Sequence, residues 1–156
     1  MKSILVFSDS HGKTLDMHEI IQSKPWDMIF HLGDSYEDML ELKEVYEIPI
    51  YGVPGNVDFV KAQGEITLRI MGHKILICHG HQYQVKQGKT KLRSYGLKEG
   101  YDLLLFGHTH ESDVEKEPIL LMNPGSIRLP RNGEKKSYGV LEISETGIST
   151  EIVYIT

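Results

Sequence analysis

Short apolar runs, each of which stops at a potential metal ligand, constrain this chain more than any other feature. ILVFS leads to Asp9 and His11, MIFHLG to Asp34, IPIYGVPG to Asn56, KILIC to His79, and LLLFG to His108 and His110. Runs of four to six apolar residues bounded by glycine or polar residues read as strand interiors of a buried sheet. Polar residues that recur where such strands stop gather along one edge, which is where open α/β sheets place their sites. A fold that satisfies the pattern must therefore bring seven oxygen and nitrogen donors onto one rim.

The intervening segments complete an element order. Strands are predicted at 2–8, 27–31 and 48–52, with helices at 14–22 and 36–46 between them, giving β-α-β-α-β. The first helix spaces Leu15, His18, Ile21 and Gln22 beside Met17 and Ile20, and the second turns Met39, Leu40 and Leu42 inward. Strands at 65–71 and 73–79 form a hairpin about Gly72. A helix at 89–99 precedes the apolar strand 103–106, and strands at 113–117, 119–123, 137–143 and 148–154 follow. About ten strands, first crossed over by helices and then joined by hairpins, imply two mixed sheets stacked face to face with helices outside, an α/β sandwich. ILVF and LLLF are expected at the sheet centres, covered on both faces.

At 156 residues the chain suits a single domain, 1–156, with one sizeable core. Its 17 basic and 22 acidic residues give a net charge of -5, so no global field favours nucleic acid or an anionic membrane. The N-terminal apolar stretch is too short for a signal peptide or a membrane span, so a cytoplasmic location is the default expectation. The lone Cys78 is expected to be a small core hydrophobe facing away from His79.

The rim residues carry chemistry as a set. In an extended segment, side chains at i and i+2 share a face, so Asp9 with His11, and His108 with His110, can each address one ion while Ser10 and Thr109 point away. Asp34, in a tight loop after Gly33, has two carboxylate oxygens with which to bridge two ions. Asn56 adds a neutral amide oxygen. Carboxylates mixed with imidazoles favour manganese, iron, zinc, nickel or cobalt over calcium or magnesium. Two divalent ions against two carboxylates and a bridging hydroxide leave a site of roughly +1, suited to an anion. Two metals ~3.5–4 Å apart lower the pKa of a shared water and clamp a phosphoryl group during in-line attack, so phosphate ester hydrolysis is the natural reaction.

The ordered series DSH at 9–11, GD at 33–34, GNVD at 55–58, HGH at 79–81 and GHTH at 107–110 resembles the calcineurin-like metallophosphoesterases, and among them the small bacterial and archaeal YfcE-like phosphodiesterases. The resemblance spans nearly the whole chain. It implies a four-layer α-β-β-α sandwich, one ion held by Asp9, His11 and His110, a second by Asn56, His79 and His108, and Asp34 bridging them. It further implies a small phosphodiester or monoester substrate attacked by a hydroxide that two metals activate, with manganese the first choice of ion and Asn56 helping to stabilise developing charge. The broader superfamily commonly has a histidine after GN in the third motif, to help protonate the leaving group. Here Val57 stands in its place, and His81 is the residue to examine as the acid.

Bland readings compete at individual positions. His31 is expected to be structural near the site, His18 a helix residue and His73 a turn residue. His81 shares the His79 face by the i, i+2 rule and serves either substrate or support of the ligands. The PGS turn in MNPGSIRLPR at 122–131 is expected to be structural, as are Arg128 and Arg131. Lys86, Lys89, Lys91 and Arg93 are expected to form a solvated helix face rather than to steer phosphate. An alternative function is a non-catalytic protein-binding scaffold, since the same fold serves a retromer subunit. The intact ligand set argues for the enzyme. A nuclease lacks a basic groove. The expected partner is a small phosphate ester, with no specific nucleic acid and no membrane, and a homo-oligomer is compatible with the sequence.

Overall fold

The computed structural model describes residues 1–156. The chain opens with β1 (Lys2–Phe7), α1 (Leu15–Gln22), β2 (Met28–His31), α2 (Tyr36–Val45) and β3 (Ile50–Gly52). It continues through β4 (Glu65–Ile70), β5 (His73–Cys78), α3 (Thr90–Glu99), β6 (Leu103–Leu105), β7 (Ser112–Glu115) and β8 (Leu120–Pro124), and closes with β9 (Ser137–Ser144) and β10 (Gly147–Tyr154). Two five-stranded mixed sheets result, in the orders β10-β9-β1-β2-β3 and β4-β5-β6-β8-β7. The two most apolar strands, β1 and β6, are the middle strand of each, as their composition requires.

Strand alternation sorts the core into three sheets of contact. Ile4 and Val6 of β1 and Phe30 of β2 face Ile75 and Ile77 of β5 and Leu103 and Leu105 of β6, filling the space between the sheets. Their neighbours Leu5, Phe7 and Ile29 face the other way, onto Met17 and Ile21 of α1 and Met39 and Leu42 of α2. On the far side Leu76, Cys78, Leu104 and Phe106 pack on Leu92 of α3. The layers are therefore helix, sheet, sheet, helix, the expected sandwich. Its burial of whole aliphatic side chains on both faces of β1 and β6 contributes on the order of 2 kcal/mol per residue.

Expected and observed elements agree to within a few residues. The β4–β5 hairpin turns on Met71 and Gly72, with φ of 52° and 87°, the two positive values that a two-residue turn of this hand needs. Leu40, expected to face inward, is instead 43% exposed, and Leu15, which shares the helical spacing of α1, is 70% exposed, because Met17, Ile21, Met39 and Leu42 already cover the sheet. Residues 81–87, to which the sequence assigned no element, form two 3₁₀ turns, His81–Tyr83 and Val85–Gln87.

The topology aims the site. β1, β2 and β3 are parallel, as are β5 and β6, so each set of C-terminal ends lies on one side of its sheet. Backbone hydrogen bonds stitch the loops there together: Asp9 N–H to Gly33 O at 2.9 Å, His11 N–H to Asp34 O at 3.0 Å, and Gly107 N–H to His79 O at 2.8 Å.

Candidate metal centre

The strand-end loops do not continue as extended chain. Asp9, His11, Asp34, His108 and His110 have φ of 56°, 46°, 46°, 73° and 60°. Left-handed backbone is uncommon at residues with a Cβ and costs free energy that the surroundings must offset. Side-chain alternation thus groups Asp9 with His11 correctly but fails for His108 and His110, which the left-handed turns send to different donor groups instead of to one ion. Three glycines let the loops meet. A Cβ at Gly55 would stand 1.8 Å from Asp34 Oδ1, one at Gly33 would stand 2.7 Å from Gly55 N, and one at Gly107 would stand 2.0 Å from Ser8 Oγ.

Two donor groups form. Asp9, His11 and His110 each bring one ligand atom into a first group, and Asp34, His79 and His108 into a second, with the atoms of each group within 4.8 Å of one another. In the first, His110 Nε2 is 3.3 Å and His11 Nε2 4.0 Å from Asp9 Oδ1, and the two imidazole nitrogens are 3.4 Å apart. In the second, His79 Nε2 lies 3.3 Å from Asp34 Oδ2 and 3.2 Å from His108 Nδ1. His79 Nε2 is also 4.0 Å from Asp9 Oδ1, so the groups adjoin.

Burial and hydrogen bonding fix which atoms are free. Asp9 is fully buried; Ser8 Oγ–H and His108 N–H donate to its Oδ2 at 2.7 and 3.2 Å, while Oδ1 has no hydrogen-bond partner. A bare carboxylate oxygen without solvent is costly, and this one is ringed by imidazole nitrogens, as a cation ligand would be. His79 donates Nδ1–H to Leu32 O at 2.7 Å and His110 donates Nδ1–H to Leu129 O at 2.6 Å. Each therefore presents Nε2 to the centre with its tautomer set by a backbone carbonyl, the usual outer support of a metal-binding histidine.

The electrostatics attract positive charge. Burial alone would raise the Asp9 pKa, but His110, His79 and Ser8 outweigh it and hold the carboxyl below the usual range. Asp34 is lowered too, its burial outweighed by His79 and the Val57 N–H. Burial opposes protonation of His79, yet Asp34 and Asp9 raise its pKa, and Asp9 raises that of His110 against burial. Burial, with His79 and Lys86, pushes His108 down to about 4. Two carboxylates that draw protons onto neighbouring imidazoles are equally placed to draw divalent cations.

Asn56 lies on the exposed rim and its side chain makes no hydrogen bond within the chain. Its neighbour Val57 donates N–H to Asp34 Oδ1 at 3.4 Å, and the Asp58 carboxylate accepts from Asp34 N–H and Gly55 N–H at 3.0 and 2.8 Å. His81 leaves the strand face because Gly80 has a φ of 110°, but its ring stays 5.5 Å from that of His79 and 6.1 Å from that of His108. Its buried Nδ1 has no partner.

Outer residues carry more than their sequence signal implied. His31 accepts Gly33 N–H on Nδ1 at 3.2 Å, so its Nε2–H donates to Ser10 Oγ at 2.9 Å and Ser10 passes its proton bond to Asp38 Oδ2 at 2.6 Å. Asp38 also accepts Gly12 N–H at 2.8 Å, so this chain clamps the loop bearing Asp9 and His11. The PGSIR segment is structural, as expected, but directed at the site: Ser126 Oγ–H donates to Asp9 O at 2.8 Å and the Arg128 guanidinium to His11 O. Asp58 was legible as the acid closing GNVD. Asp38 looked like any acid in a helix's first turn and gave no signal.

Residues 1–146 match the family model of the calcineurin-like phosphoesterase superfamily domain. The chain belongs to the calcineurin-like phosphoesterase superfamily. It is thus a metal-dependent phosphoesterase by descent, and relatives agree. The probable metallophosphoesterase YsnB of Bacillus subtilis is 37% identical over 147 residues, covering 90% of this chain and 84% of the relative. The crystal structure of a predicted phosphoesterase from Streptococcus pneumoniae superposes on this phosphoesterase with a TM-score of 0.81 at 27% identity, covering 98% and 89% of the two chains. Vps29 of Entamoeba histolytica complexed with zinc shares the fold at a TM-score of 0.78 and 18% identity, covering 97% and 98%.

Proposed function

We propose that this phosphoesterase hydrolyses small phosphodiesters, and monoesters less well, using two divalent ions. Asp9, His11 and His110 hold one, Asn56, His79 and His108 the other, and Asp34 lies between them; manganese is the first choice of ion and iron, nickel, zinc or cobalt the alternatives. The observation that carries this reading is the unpartnered Asp9 Oδ1, fully buried and facing the imidazoles of His11, His79 and His110. When bound, such ions supply Lewis acidity toward the phosphoryl oxygens and a water made nucleophilic near neutral pH.

The chain's own residues do the rest. Leu32 O and Leu129 O keep His79 and His110 oriented, and Ser8 Oγ–H holds Asp9 Oδ2. Asn56, on the exposed rim, would offer its amide oxygen to the ion and its amide N–H groups to negative charge that grows on the phosphoryl oxygens. His81, whose ring lies 5.5 Å from that of His79 and 6.1 Å from that of His108, is the residue to test as proton donor to the leaving oxygen in the absence of a histidine at Val57.

Chelation is expected to abolish hydrolysis of bis(nitrophenyl) phosphate and manganese to restore it. Full turnover by protein shown to be metal-free would defeat the proposal. A protein that binds two ions per chain yet hydrolyses no ester would favour the scaffold reading, which the Vps29 likeness supports at the level of fold alone.

A further inference from the structure

Of the four basic residues after HGH, three are engaged within the chain. Lys89 pairs with Asp113 and, at 3.2 Å, with Glu115; Arg93 pairs with Glu115 at 2.8 Å; Lys91 donates to Gln84 at 2.6 Å. Lys86 has no ion pair or hydrogen bond and is exposed. It lines a cavity of about 530 Å³ whose wall also includes Thr109, the residue between His108 and His110, so the cavity adjoins the metal centre.

The lining decides what chemistry suits it. Only Val85 and Phe106 of its ten residues are hydrophobic. Around Lys86 stand Gln87, Thr109, Glu111 and Ser112, a mixture of donors and acceptors. Apolar groups gain little there, and a second anion would meet Glu111, while Lys89 is already taken up by Asp113. Hydroxyl groups, which both donate and accept, satisfy such a wall. The volume exceeds that of a phosphoryl group by enough to admit a sugar or polyol.

Building on the phosphodiesterase reading, we propose that this cavity is a subsite for the non-reacting arm of the substrate, that the arm is a sugar or polyol, and that Lys86 is a specificity-determining residue that donates to its hydroxyls. Exposure of Lys86 on a 3₁₀ turn makes it replaceable without cost to the core. Because the arm in this subsite is not the group expelled, the subsite acts on the choice of ester and not on the bond broken.

The test compares nitrophenyl 2,3-dihydroxypropyl phosphate with nitrophenyl propyl phosphate, which share a leaving group and a carbon count and differ in two hydroxyls. With manganese-loaded protein, kcat/KM is expected to favour the dihydroxypropyl ester by about tenfold, the effect of one or two hydrogen bonds, through KM more than kcat. In Lys86→Met that ratio is expected to fall to within about twofold of unity. Equal rates in the wild type, or a ratio that survives Lys86→Met, would overturn the subsite. Calorimetric binding of glycerol 1-phosphate against propyl phosphate decides the same question without turnover. If neither ester is hydrolysed but the glycerol compound binds about tenfold tighter in a Lys86-dependent way, the subsite stands and the hydrolase reading falls; equal binding would remove the subsite whichever way hydrolysis goes.

Discussion

Asp34 is the residue on which the proposed centre depends most. Its Oδ2 is 3.3 Å from His79 Nε2, while its Oδ1 accepts the Val57 N–H and ties the carboxylate to the loop that carries Asn56. Asp34→Asn preserves shape but removes charge from both. It is expected to lower metal content below two ions per chain by elemental analysis and kcat/KM by at least about 100-fold, the upper end of what loss of a mere supporting contact does; retention of both ions at wild-type rate would exclude a bridging role. Val57 makes a different prediction. It is 51% exposed, and where a proton-donating histidine is absent, esters that expel alkoxides should react far more slowly than those that expel nitrophenolate. Val57→His is expected to speed alkyl esters by up to about 100-fold and aryl esters little, flattening the plot of rate against leaving-group pKa. A wild-type plot already shallow, and steepened in His81→Gln, would assign the acid to His81.

At the scale of elements, the loops work because glycine lets them interpenetrate. Gly55 leaves room for Asp34 Oδ1, which a Cβ would meet at 1.8 Å, so Gly55→Ala must displace Asp34. Its expected signature is metal affinity weakened by at least about tenfold by titration, with a near-wild-type far-ultraviolet circular dichroism spectrum, since only the rim is disturbed. Affinity equal to wild type would mean that the loops have more slack than their packing implies. The elements themselves were largely legible in the sequence. ILVF and LLLF announced the two central strands, and Gly72 the hairpin, because apolar runs and glycine turns are local signals. Left-handed φ at Asp9, His11, Asp34, His108 and His110 was not legible: these residue types adopt it only where long-range contacts hold them, and alternation assumes extended chain. Asp38 was missed for a related reason, since its partners Ser10 and Gly12 lie 28 and 26 residues away in sequence. Leu15 and Leu40 show the converse, helical spacing that marks a face without saying how wide the buried stripe is.

For the molecule as a whole, acid sensitivity follows from His31. Burial pushes its pKa from 6.5 down to about 4, against the raising influence of Asp38 and Asp9. Between those values the unfolded chain binds a proton and the native one does not, so this contribution to stability is complete above the unfolded value and is lost as pH falls through the window. Metal-free wild type is expected to lose about 2–3 kcal/mol more than His31→Asn between pH 7 and pH 4.5 in urea denaturation. His79 and His110, with raised pKa values, pull the other way in both proteins, so the difference isolates His31; parallel pH profiles would show that His31 is protonated in the fold. A last consequence concerns synthesis. Each donor group draws on both sheets, Asp9 and His11 beside His110, and Asp34 beside His79 and His108, and the loop of Asp9 is held from behind by Ser126 and Arg128. β1 also needs β9, whose residues come later still. A ribosome that has made every proposed ligand has therefore not yet made the segments that hold them, and a nascent chain is expected to stay inert toward phosphate esters until β9 has emerged.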